Sequence, residues 1–78
     1  MHEFYVRFRS LRDVLDFVTL ASAQKHRLMV GTDNFQVNAT SFMGLFTLNC
    51  RKPQRVAVSC TEEELQQLLH CFQRFLVT

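Results

Sequence analysis

The three cysteines, Cys50, Cys60 and Cys71, form no Cys-x-x-Cys pair, so the spacing that zinc sites and thiol-redox motifs require is missing. An odd number of unpaired thiols fits a reducing compartment, and a cytoplasmic location is expected. No window approaches the roughly 20 apolar residues of a membrane span. Met1-His2-Glu3-Phe4 has no apolar run of the kind a secretion signal carries. A membrane partner is therefore not expected. The net charge of +2 is too small to argue for nucleic acid. Arg7, Arg9, Arg12, Lys25, Arg27, Arg51, Lys52 and Arg55 supply basic charge, but there is no Gly-x-x-Gly loop and no aromatic motif of the RNA-binding type. Internal repeats, linkers and low-complexity segments are absent. No constellation suggests an enzyme, and no cofactor or metal site is expected.

What remains is a chain of 78 residues, read as one domain over 1–78. A chain this short buries about 60% of its unfolded surface, so its stability should be modest. The apolar fraction of 47% still suffices for a packed core, and eight Phe should form much of it.

Glu3 to Phe8 alternates, with Phe4, Val6 and Phe8 on one face of a first strand. Ser10 then starts a helix, and Asp13 three residues on completes a pattern like a capping box, with Asp where Glu is usual. Leu11, Val14, Leu15, Val18 and Ala21 should face the core. Phe17 falls at the edge of that stripe and Leu20 near the opposite, exposed side. The helix should fade near Gln24-Lys25. A second strand runs from His26 to Thr32, with Leu28 and Val30 inward, and Asp33-Asn34 forms the turn to a third strand at Phe35–Ala39. Beyond a basic loop at 49–54, where Pro53 disfavours helix, Arg55 to Cys60 reads as a fourth strand. Thr61 and Glu64 make a full capping box for a last helix, whose stripe is Leu65, Leu68, Leu69, Phe72, Phe75 and Leu76. His2, His26 and His70 read as solvated surface residues. The order βαββαβα predicts an α+β fold with helices packed on one side of a mostly antiparallel four-stranded sheet.

The stretch from Val37 to Leu48 organises the rest. Ser41 suits an N-cap. After it comes Phe42-Met43-Gly44-Leu45-Phe46-Thr47-Leu48. Leu45 and Leu48 can point inward, but Phe42, Met43 and Phe46 cannot all join them, since successive helical positions turn by about 100°. Some of this apolar surface should face water or a partner.

This stretch resembles the segment around the regulatory serine of HPr, the small phosphocarrier of the bacterial sugar phosphotransferase system. A strand ending in Val37-Asn38, then Ser41, then Phe42-Met43-Gly44-Leu45 is similar to the run in Gram-positive members, and the match extends over roughly the whole chain. The resemblance implies the HPr fold, an open-faced β-sandwich with three helices on one face. In the family, phosphate is carried on a histidine just before the first helix, with an arginine two residues later. Counting back from Ser41 without gaps places Ser10 at the histidine and Arg12 at the arginine. Asp13 stands where the family has proline, and Val6-Arg7-Phe8-Arg9 replaces its glycine-containing loop.

A serine hydroxyl has no near-neutral pKa and no imidazole nitrogen, and Asp13 would repel a nearby phosphate. The expectation is thus an HPr-like regulatory module without the phosphocarrier histidine, similar to the catabolite-repression branch of the family. Ser10 reads as an N-cap or as a modified or ligand-binding hydroxyl. Arg12 reads as a remnant of the phosphate cradle or as a solvated residue. Ser41 reads as an N-cap or as the target of an HPr-type kinase. Phe42, Met43 and Phe46, extended by Leu15 and Leu20, form the expected docking face. The implied partners are phosphotransferase-system enzymes, the kinase or a transcriptional regulator. The alternatives are a phosphoryl carrier using another residue and, less favoured, a nucleic-acid-binding domain.

Overall fold

Alternation organises the sheet. In the computed structural model, which describes residues 1–32, 34–48 and 52–77, β1 (His2–Val6) buries Phe4 and Val6 and exposes Glu3 and Tyr5. β2 (Leu28–Gly31) turns back as β3 (Gln36–Asn38), pairing Met29 with Asn38 and Gly31 with Gln36. β4 (Gln54–Val58) runs antiparallel to both β1 and β2, with Phe4 and Val30 flanking Val56. The strand order is β1-β4-β2-β3. The hairpin strands are therefore not both internal: β3 is an edge, and β4 enters between β1 and β2. Asp33 of the expected turn and residues 49–51 of the expected basic loop lie outside the described residues.

Gly31 makes the hairpin possible. Its φ is +135°, and a side chain there would collide with the Phe35 carbonyl oxygen. Thr32 and Phe35 close the turn by exchanging backbone bonds of 2.9 and 3.3 Å. Phe35, expected to begin the half-buried strand, is 52% exposed beside this turn.

The apolar side of the sheet carries Phe4, Val6, Leu28, Val30, Val56 and Val58, all buried, against α1 (Leu11–Ser22), α2 (Phe42–Phe46) and α3 (Glu62–Cys71). This is a four-stranded antiparallel sheet with three helices, an α+β fold. Phe17 stands at the centre of the core. Its ring centroid lies 5.0 Å from Phe8, 5.0 Å from Phe72 and 5.7 Å from Phe75, in tilted and edge-on geometries that aromatic rings favour. Phe8 is buried although β1 ends at Val6.

Two helical stripes differ from the pattern expected. On α1 the buried residues are Val14, Phe17 and Ala21, while Leu11 and Leu15 are exposed. Leu20, expected near the open side, packs against the core instead. The stripe is rotated because the large Phe17 ring meets the rings of Phe8, just beyond β1, and of Phe72 and Phe75 near the C-terminus. The last helix stops at Cys71, and a 3-10 turn at Gln73–Phe75 follows, so Phe75 and Leu76 reach the core from outside α3. Leu76 bridges to Val6, with Arg7 N–H on the Phe75 carbonyl at 2.8 Å and Val77 N–H on the Tyr5 carbonyl at 3.1 Å.

Candidate functional site

Ser10 is the N-cap of α1, and its hydroxyl accepts the Asp13 N–H at 3.3 Å. The return bond differs from a standard capping box. The Asp13 carboxylate takes the N–H of Arg9, at 2.9 Å, rather than that of Ser10. Its other oxygen, Oδ1, lies 2.7 Å from Nη2 of Arg74, 61 positions along the chain. Arg74 Nη1 reaches Asp16 Oδ2 at 3.0 Å. Arg12, largely exposed, also meets Asp16, at 3.4 Å. The Arg9 N–H bond, then Arg74, hold the Asp13 carboxyl below its ordinary range even though partial burial opposes them. The two carboxylates in turn raise the Arg74 guanidinium. Arg74 is also stacked 4.6 Å over the Phe75 ring. This end of α1 thus carries a charge network made by the chain itself, and Arg74 was not expected there. No local pattern couples residues so far apart; only the returning C-terminus does.

Ser41 is the N-cap of α2 and accepts the Gly44 N–H at 3.1 Å. The chain is steered into this position by Asn38, whose side-chain oxygen accepts from Thr40 N–H at 2.9 Å and from the Thr40 hydroxyl at 2.8 Å. The first of these, a side-chain-to-backbone bond across two residues, mimics a turn. Gly44 allows α2 to lie this close. A Cβ there would sit 2.9 Å from Ser41 Oγ and 3.1 Å from Val37 Cβ.

Beyond Ser41 the apolar residues divide as rotation demands. Leu45 is fully buried, and Phe42 and Leu48 pack against the core. Met43 is 72% exposed and Phe46 45% exposed. The Phe42 and Phe46 rings meet edge-on at 4.5 Å, so Phe42 links the buried side of the helix to the exposed one. α1 packs beside α2 and exposes Leu11 and Leu15.

The start of α3 is a further charged cluster. Thr61 and Glu64 form the reciprocal capping box, with bonds of 2.9 and 3.2 Å. Lys25 Nζ lies 3.1 Å from Glu64 Oε2. His26 is half-buried rather than solvated, with Nε2 2.9 Å from the same oxygen, though out of line for a hydrogen bond. The Thr61 N–H first, then Lys25, lower the Glu64 carboxyl to about 2. Burial, then the Glu64 charge, push the nearby Cys60 thiol up, which keeps it protonated and a poor nucleophile. Cys60 and Cys71 are free, and Cys50 lies outside the described residues. Among the described residues no group of three or more His, Cys, Asp and Glu could hold a metal. No described helix is long and apolar enough to cross a membrane.

Residues 11–77 match the family model described as the PTS HPr component phosphorylation site. The crystal structure of HPr-C-His from Thermoanaerobacter tengcongensis is similar, with a TM-score of 0.70 and 24% sequence identity over 94% of this chain and 92% of that one. At that identity the likeness speaks for the fold. No curated protein sequence matches the chain.

Proposed function

Because the chain belongs to the HPr family of the phosphotransferase system, a family of phosphocarriers rather than enzymes, we propose that it is a regulatory interaction module of that system which works without a phosphocarrier histidine. The observation that carries this reading is the α2 ridge. Met43 and Phe46 stand exposed one turn beyond a capped Ser41, an apolar surface that water disfavours and a partner would cover. At the start of α1, Ser10 occupies the position that the resemblance assigns to the histidine. The Asp13 carboxylate beside it already holds the Arg9 N–H and Arg74, so an added phosphate would meet like charge.

Partners of this family are other phosphotransferase-system proteins; for this chain an HPr-type kinase and a transcriptional regulator join them in the proposal, in the cytoplasm. Phosphorylation of Ser41 would add about −2 charge at the N-terminus of α2 and alter the cap that orients the ridge. Leu15 on α1 extends the docking face. Leu20 and Phe42 support it from beneath.

The test is a binding assay with the purified phosphotransferase enzymes and regulator. Phe46→Glu should abolish binding, and Ser41→Asp should change partner preference relative to Ser41→Ala. If none of the three alters any interaction, the docking reading fails. The family match also favours a second reading, phosphate carriage on another residue. Incubation with phosphoenolpyruvate and the upstream enzyme decides it: a gain of one phosphoryl group in intact mass supports carriage, and an unchanged mass excludes it.

A further inference from the structure

The helices cover one face of the sheet and leave the other open. Strand register arranges that open face in rows. Glu3, Ala57, Met29 and Asn38 form one row across the four strands, and Tyr5, Arg55, Gly31 and Gln36 form the next. Ala57 and Gly31 make a low floor on the two inner strands, and Tyr5 stands 52% exposed on the β1 side of it. A shallow cavity of about 230 Å³ opens here, lined by Tyr5, Gly31, Thr32, Pro53, Gln54 and Arg55.

Charge is divided between the two sides of the sheet. On the helical side Asp13 and Asp16 meet Arg12 and Arg74, Glu64 meets Lys25, and Glu62 and Glu63 add two more acids. Among the described residues the open side has a single acid, Glu3, which Arg55 holds at 2.9 Å. Arg7 continues the outward alternation of Glu3 and Tyr5, Arg27 precedes Met29 on the same alternation, and Lys52 adjoins Pro53 at the rim of the cavity. All three are exposed, and none is ion-paired among the described residues. The small net charge of +2 thus hides a face with three uncompensated cations. Arg27 lies roughly 20 Å from Arg7 along the strands, too far for one small anion to meet both but within reach of an extended one.

We propose that this open face binds single-stranded nucleic acid, with a base against the Tyr5 ring over the cavity and phosphates on Arg7, Lys52 and Arg27. Cations spread along a face match a polyanion rather than a point charge. A ring exposed on a sheet stacks on any base, whereas a flat sheet has no element to enter the groove of a duplex. The exposed aliphatic residues Leu11, Leu15 and Met43 lie on the helices, so the open face has no wedge for a lipid layer. This site lies across the sheet from the α2 ridge and does not depend on it.

Anisotropy of a labelled oligothymidine, titrated with the full chain at rising salt, tests this. Three phosphate contacts predict that log K falls against log salt with a slope of about −2. Lys52→Ala should reduce the slope by about 0.7, while Lys25→Ala, which removes the same charge from the helical side, should leave it unchanged. Tyr5→Ala should weaken binding about tenfold at an unchanged slope, and Tyr5→Phe should bind as wild type, because the ring does the stacking. The proposal is overturned if no salt-dependent binding is seen, if Lys25→Ala lowers the slope as Lys52→Ala does, if Tyr5→Ala has no effect, or if a duplex of the same length or phosphatidylserine vesicles are bound in preference.

Discussion

Gly31 is a residue whose role no periodicity could reveal. It is held at φ +135°, with no room for a side chain beside the Phe35 carbonyl oxygen. Gly31→Ala should therefore cost about 1–3 kcal/mol, read as a lower urea midpoint with an unchanged slope. Gly44 is constrained differently, by the approach of α2 to Ser41 and Val37. Ser10, Ser41 and Thr61 were legible as caps because a cap is a local device, made within four residues. Arg74 was not legible, because Asp13 and Asp16 reach it only through the tertiary fold. His26 was misjudged as a solvated residue for the same reason: its partner, Glu64, belongs to α3.

Among the elements, α3 shows what a strong local signal does. Thr61, Glu64 and three acids in the first turn agree, and the helix begins where they place it. Thr61→Ala should cost about 1 kcal/mol in denaturant unfolding, through the loss of the Glu64 N–H bond. Its end was less legible. The apolar stripe continues through Phe75 and Leu76, but the helix stops at Cys71, since the last residues gain more by seating Phe75 among Phe8 and Phe17 and bonding β1. α1 teaches the same lesson. Periodicity alone allowed a stripe through Leu11 and Leu15. The rings of Phe8, Phe72 and Phe75 turned the helix so that Phe17 lies inside and both Leu face out.

At the scale of the whole molecule, charge sets the response to acid. The Glu64 carboxyl is lowered from its ordinary 4.5 to about 2, and that of Asp13 is lowered from 3.8. Both bind a proton less readily folded than unfolded. Their stabilisation is therefore complete above those ordinary values and is lost as pH falls toward about 2. The urea midpoint should fall across that window, and Glu64→Gln should flatten the fall; a Glu64→Gln profile as steep as wild type would contradict this assignment. The four strands, three helices and their caps were determined by the sequence alone, because each rests on bonds and periodicities spanning a few neighbours. The division of the α2 residues between core and surface was equally local, since helical rotation forbids burying Leu45, Met43 and Phe46 together. Only the tertiary structure decided which strand lies at each edge, which way α1 turns, and that the C-terminus returns to β1 with Arg74 against two distant carboxylates. Those choices depend on long-range packing of rings and on pairing across dozens of residues, and such energies exist only once the chain has closed on itself.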